Sequence, residues 1–322
     1  MLKRVAFKKI VLILALAFSI FMIYLVPDDE LQFKTELHYV DNNLKSVIYL
    51  MDSNNYVART EVIVHNHKIE EKARELLEIL IKDGDGESSI PNGFKSIISS
   101  DTKINSIKYD NGLIKVDFSR EFLDTKIDYE ENIIEAVVYT LTSIDEIKNV
   151  IIYIDGDILT KLPRTGINLP TTLDKSYGIN KTYNIETYKN VEKVTTYYVS
   201  RYNDQTYYVP VTNYVNDNRD KIKIIIESLS SSNISNPNLM SFLNSNTVLL
   251  SSDLNDESLS LVFNQYIFND LQTKNILQEV IYTISLSVEA NYDVKQVLFN
   301  VNNEEIYKSV IKNTWKSYKS VI

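Results

Sequence analysis

The chain has 322 residues, a net charge of −9, 44% hydrophobic and 24% charged residues, 7 glycines, 6 prolines and no cysteine. This length suits two ordinary domains, scarce Gly and Pro argue against long disordered or collagen-like stretches, and the acidic balance argues against binding phosphate backbones. The missing cysteine excludes disulfides, thiolate metal sites, a cysteine nucleophile and the acylated cysteine of a bacterial lipoprotein.

Residues 10–26 form a charge-free apolar run of roughly 17 residues, at the short end for a spanning helix. Lys3, Arg4, Lys8 and Lys9 precede it, and Asp28, Asp29 and Glu30 follow it. This asymmetry predicts a signal anchor over residues 1–30, with everything beyond about residue 30 on the outer side of a membrane. A cleaved signal peptide is the rival reading, but no small-x-small cleavage site ends the apolar run.

A first domain is expected over 45–160. Strands at Ser46 to Met51 and Arg59 to His65 flank the turn Asp52-Ser53-Asn54-Asn55. A helix over Glu70 to Lys82 follows, its apolar stripe being Ile69, Ala73, Leu76, Leu77 and Leu80. After a Gly- and Ser-containing loop, Ile104 to Tyr109 and Leu113 to Phe118 flank Asp110-Asn111-Gly112, a hairpin signal because Asn and Gly tolerate positive φ. A second helix over 131–144 buries Ile133, Ile134, Val137, Val138 and Leu141, and the apolar strand Val150 to Ile154 closes the unit.

A linker is expected over 161–192. Its Pro163, Gly166 and Pro170 suit an extended connection, and its dense run Asp174 to Lys181 predicts packing against a domain. The order of the first domain then recurs over 193–305. Strands at Val194 to Val199 and Tyr207 to Val211 precede a helix with the stripe Ile222, Ile225, Ile226 and Leu229. Thr247 to Ser251 and Ser258 to Phe263 bracket Asn255-Asp256-Glu257. Ile276, Leu277, Val280, Ile281 and Ile284 form a second stripe before the strand Val297 to Val301. Residues 306–322, with the single Trp315, are a tail outside the repeat.

The duplication is visible directly. Residues 132–140 (NIIEAVVYT) and 275–283 (NILQEVIYT) repeat one another. All 7 glycines lie between Gly84 and Gly178, so the second copy has none. Asn255-Asp256 and Asn302-Asn303 stand where the first copy uses Asn111-Gly112 and Asp155-Gly156. Asn and Asp best tolerate left-handed backbone among non-glycine residues, so these turns are expected to survive at a cost of about 1 kcal/mol each.

Three segments carry a resemblance. Ser89-Ile90-Pro91-Asn92-Gly93, Asn111-Gly112 followed by Ile114 to Phe122, and Val150 to Gly156 resemble the GerMN domain found in sporulation and spore germination proteins. Leu169 to Lys181 is similar to the segment joining tandem GerMN domains. The resemblance implies an α+β fold of two tandem domains, each a small mixed sheet with two helices, similar to the ring-building motifs of secretion systems. It also implies a non-enzymatic envelope protein working in complex assembly between mother cell and forespore. The chain departs from the family's lipoprotein members in lacking the cysteine they acylate.

No catalytic, cofactor or metal site is assigned from sequence. Asp83-Gly84-Asp85-Gly86-Glu87 opens like a calcium loop, but its sixth and twelfth positions are Ser88 and Phe94, so a solvated acidic loop is the plainer reading. His65 and His67 would point one way along a strand, yet no third ligand is evident and the second copy has no histidine. Asp117, Glu121 and Asp155 are the carboxylates available for acid–base work, and their counterparts are Val262, Tyr266 and Asn302. Walker, nucleophile-elbow and dinucleotide-loop sequences are absent. Tyr197-Tyr198 and Tyr207-Tyr208 are either ordinary strand residues or, with one of each pair exposed, partner contacts. The expected partners are the membrane, through residues 10–26, and envelope proteins, with a ring or channel complex in view and nucleic acid excluded. The alternative is a peptidoglycan-binding module or envelope hydrolase using loops of the first repeat.

Overall fold

A computed structural model of the chain describes residues 45–231, 237–302 and 304–310. The expected anchor at 10–26, His38 and the tail from residue 311 lie outside the described residues. No helix among the described residues is long and apolar enough to cross a membrane.

The first repeat opens with the hairpin β1 (Lys45–Asp52) and β2 (Val57–Ile63). Its turn is held by the buried Asp52, whose Oδ1 accepts from the amides of Asn54 and Tyr56, both at 2.8 Å. Helix α1 (Ile69–Leu80) buries Ala73, Leu76, Leu77, Ile79 and Leu80. It stops before Lys82 because Ile81 takes extended backbone and bridges Ile98. The two-residue strand β3 (Phe94–Lys95) then returns to pair with β1.

The hairpin β4 (Ile104–Asp110) and β5 (Leu113–Phe118) turns through Asn111 (φ 45°) and Gly112 (φ 85°), the two positive dihedrals that an Asn-Gly turn supplies. Helix α2 (Glu130–Leu141) crosses over to β6 (Asn149–Ile154), which lies parallel to β5. A short return strand β7 (Asp157–Ile158) follows the turn at Asp155 (φ 49°). These four strands form one mixed sheet in the order β4-β5-β6-β7.

After the linker strand β8 (Thr182–Asn184), the second repeat follows the same order. It has the hairpin β9 (Glu192–Tyr202) and β10 (Gln205–Val215), then helix α3 (Lys221–Ser230). The hairpin β11 (Leu249–Leu254) and β12 (Ser258–Phe263) comes next, then helix α4 (Gln278–Asn291). The hairpin β13 (Gln296–Val301) and β14 (Glu304–Val310) ends the repeat. Its mixed sheet has the order β11-β12-β13-β14, with β12 and β13 parallel. Asn302 keeps the left-handed turn (φ 53°) of Asp155. Asn255 and Asp256 do not: the turn between β11 and β12 has lengthened to three residues and needs no positive φ there. The second copy uses a three-residue loop where the first uses a two-residue one.

The expectation of one mixed sheet per repeat needs correction. Each copy keeps its four-stranded sheet, while the opening hairpins, each still packed in its own copy's core, join edge to edge. One six-stranded sheet runs β3-β1-β2-β10-β8, with β9 paired to the other side of β10. The seam is a single bridge, Arg59 to Tyr208, between the antiparallel β2 and β10. A lone two-stranded hairpin is barely stable in water, so each hairpin gains by using the other as its neighbour. Two apolar cores result. One lies under α1 and α2, and the other lies under α3 and α4 and includes Ala58 from β2.

Candidate functional site at the junction of the repeats

A single bridge is a weak seam, and the linker reinforces it. Asn180 adopts φ 47°. Its Nδ2 donates to the carbonyls of Val57 (2.8 Å) and Pro210 (2.7 Å), and its Oδ1 accepts from the Val57 amide at 3.0 Å. The side-chain amide thus stands in for a strand residue between β2 and β10. Pro210 has no N–H to offer across this gap, so only its carbonyl needs a partner. The preceding residue Ile179 is buried and exchanges two 2.9 Å bonds with Thr212, one to its hydroxyl and one from its amide.

Helix α2 holds this clip from the other side. The Asn180 amide donates to Glu135 Oε2 at 2.9 Å. Lys181 reaches Glu131 at 2.5 Å and Glu135 at 3.7 Å, and its ammonium lies 3.4 Å from the centre of the Tyr177 ring. The Tyr177 hydroxyl donates to Glu131 at 3.1 Å. The Glu135 side chain is 2% exposed, and burial pushes its carboxyl up to about 7 against the opposing pull of Lys181 and the Asn180 amide. One turn earlier, Glu130 accepts from the amides of Arg164 (2.8 Å) and Thr165 (2.7 Å) and from the Thr165 hydroxyl (2.7 Å). On the second repeat's side, Lys175 meets Glu289 of α4 at 3.5 Å.

Buried tyrosines complete the junction. The hydroxyls of Tyr49 on β1 and Tyr197 on β9 share a 2.8 Å hydrogen bond, and Tyr207 donates to Asp52 Oδ2 at 2.9 Å. The two copies use matching props. Thr140 of α2 accepts from the Tyr49 amide at 3.0 Å, and Ser287 of α4 accepts from the Tyr197 amide at 2.8 Å. Gly93 packs against Tyr202, whose ring a Cβ would approach to 2.5 Å. Beside the clip opens a cleft of about 310 Å³, lined by Glu131, Asp174, Lys181, Tyr183 and Tyr214, with Tyr183 stacked on Tyr214 at 5.0 Å.

The residues singled out from sequence stand elsewhere. His65 and His67 are exposed and lie past the end of β2, so strand alternation does not align them. His65 Nδ1 instead meets Glu75 at 2.9 Å, and that carboxylate also accepts the amides of His65 and Asn66. Asp117 accepts from the Gly156 amide at 3.0 Å and so caps the turn beside Asp155. Hydrogen bonding to the Ser119 hydroxyl holds Glu121 below the usual carboxylate range. No group of three His, Asp or Glu residues among the described residues is placed to hold a metal, and the Asp83 to Glu87 segment is a turn with Asp83 at φ 54°. Of the paired tyrosines, Tyr197, Tyr198 and Tyr207 are buried, and half-buried Tyr208 packs edge-on to Tyr282 at 5.6 Å, so neither pair offers an exposed contact. Glu135, Asn180 and Lys181 were not expected as a unit, and the only sequence signal for them was the dense linker run.

Comparison with known proteins agrees with this architecture. The family model described as "Sporulation and spore germination" (Germane) matches twice, over residues 47–160 and 195–307. The chain is 32% identical over 262 residues to spore germination protein GerM of Bacillus subtilis, covering 80% of this chain and 71% of that one. Its fold is similar to the solved tandem GerMN domains of the Bacillus subtilis sporulation protein GerM, with a TM-score of 0.73 and 30% identity over 81% of this chain and 91% of that one. Two tandem α+β GerMN domains joined through a built linker place the chain in the Germane family of sporulation and spore germination proteins, to which it belongs.

Proposed function

We propose that the chain is a non-enzymatic, membrane-anchored envelope protein that acts in protein-complex assembly during sporulation or spore germination. Residues 10–26 are the anchor, and the two repeats face the outer side. The observation that carries this reading is the use made of buried polar groups. Glu135, Asn180, Tyr49, Tyr197 and Asp52 hold one repeat against the other. Of the carboxylates open to an acid–base role, Asp117 caps the turn that contains Asp155, and Glu121 stands in the short 3-10 helix Arg120–Leu123. Such a body presents fixed surfaces at a set spacing, which suits a scaffold for a ring or channel complex. The test is crosslinking and affinity purification of the intact protein from its native membrane. A stoichiometric envelope partner is expected. A solitary monomer with hydrolytic activity would overturn the reading.

A further inference from the structure

The first strand of each mixed sheet, β4 in one copy and β11 in the other, stands at the outer edge of its sheet. The duplication lets the two edges be compared residue by residue. Both carry a bulge at the same place: Asn105 is the extra residue between Ile104 and Ser106, and Leu250 is the extra residue between Leu249 and Ser251. Lys103 and Val248 also correspond, because their carbonyls accept from the amides of Ser119 and Asn264, which directly follow β5 and β12. Lys108 pairs with Lys115 and Asp253 with Ser260, the matching ladder positions. The first copy thus guards its edge with the exposed Lys103, Asn105 and Lys108, the charged and polar dress that keeps a free edge from pairing. The second copy has Val248 (51% exposed), Leu250 (59%) and Asp253 at those places, and Tyr266 (46%) in place of Glu121. An exposed apolar edge of this kind is a surface for adding a strand. Among the described residues, no strand pairs with the outer edge of β11.

The chemistry of the added strand follows from the two faces of β11. Leu254 pairs with the buried Leu259 and shares its core-side face, while Asp253 pairs with Ser260 on the opposite face. A strand laid beside β11 sets alternate residues against the leucine and the carboxylate. Residues 224–273 contain no Lys, Arg or His. Lys295 pairs with Glu257 and Arg219 with Glu227, and among the described residues no cation pairs with Asp253 or Asp256. We propose that the free edge of β11 takes up an extended segment of another envelope protein in which apolar and basic residues alternate. The proposal rests on the reading of the chain as an assembly protein and names the surface and the partner chemistry.

The test is hydrogen exchange of the intact chain with a synthetic peptide alternating lysine and valine, matched in length to the six residues of β11. The peptide should slow exchange of the β11 amides, about tenfold at about ten times its dissociation constant, and leave β4 unchanged. The same peptide with glutamate for lysine should have no effect. The triple variant Val248→Lys, Leu250→Asn, Asp253→Lys, which gives β11 the edge of β4 and changes only exposed side chains, should lose the protection. No protection, or equal protection by the glutamate peptide, would overturn the proposal. So would β11 amides that are as slow as those of β12 without peptide, which would mean that the chain covers its own edge. Self-association of the chain that Lys108→Glu abolishes would put a second copy's β4 on the edge and would also overturn it. If the peptide leaves β11 unchanged while crosslinking of the intact protein in its membrane still yields a stoichiometric partner, this inference fails and the assembly reading stands.

Discussion

Glu135→Gln tests whether the linker clip rests on a carboxylate that is costly to ionise. Glu135 is buried, and its carboxyl is pushed up to about 7 from an ordinary value of 4.5. Between these two values the folded chain binds a proton that the unfolded chain has lost, so stability falls as pH rises. Because the folded value is the raised one, the contribution of Glu135 is complete below pH 4.5 and is lost by the time pH passes about 7. A shift of this size corresponds to about 3 kcal/mol. Glutamine keeps the shape and the acceptor for the Asn180 amide but removes the charge. Lys181 retains Glu131 at 2.5 Å, so the variant does not strand a buried cation. The assay is urea unfolding of both proteins at pH 4.5, 5.5, 6.5 and 7.5. Subtracting one curve from the other cancels the other titrating groups, including buried Asp52. The wild type should lose about 3 kcal/mol relative to the variant over this range. Parallel curves would refute the reasoning, because they would mean Glu135 titrates alike in the folded and unfolded chain.

Three further outcomes follow from the junction. Asn180→Ala removes three hydrogen bonds and places at φ 47° a residue that tolerates left-handed backbone less well than asparagine does. It should cost about 2–4 kcal/mol in chemical denaturation, and Asn180→Gly should recover only the backbone part. Gly93→Ala should destabilise more than Gly112→Ala. Both have positive φ, but a Cβ at Gly93 meets the Tyr202 ring at 2.5 Å while one at Gly112 finds nothing closer than 3.8 Å. Differential scanning calorimetry should show the second variant down by about 1 kcal/mol and the first by about 2–4 kcal/mol. Tyr49→Phe and Tyr197→Phe each leave one buried hydroxyl without its partner, at a cost of about 1–2 kcal/mol. The double variant should cost less than the sum, and strict additivity in a double-mutant cycle would deny the bond.

Much of the local structure was legible. The 3.6-residue stripes at Ala73 to Leu80 and Ile133 to Leu141 became the buried faces of α1 and α2. Asn111-Gly112 became the positive-φ turn, because few residue pairs tolerate that geometry. The junction was not legible, since it depends on pairings far apart in the chain. Asn180 bonds to Val57 across 123 residues, and Tyr207 to Asp52 across 155. Tyr197 and Tyr207 look like surface strand residues until a second layer covers them.

The duplicated apolar pattern and its turn residues therefore determined, by local physics alone, that the chain holds two copies of one α+β unit. Hydrophobic periodicity and φ preference act within a few residues, so they survive in the sequence as a readable signal. Only the tertiary structure decided that the copies share a six-stranded sheet, and that an asparagine in the linker fills its seam. A free strand edge needs a partner but does not specify which one. Here the choice was made by the linker's length, by the buried Glu135 beneath it and by the tyrosines that meet across the join.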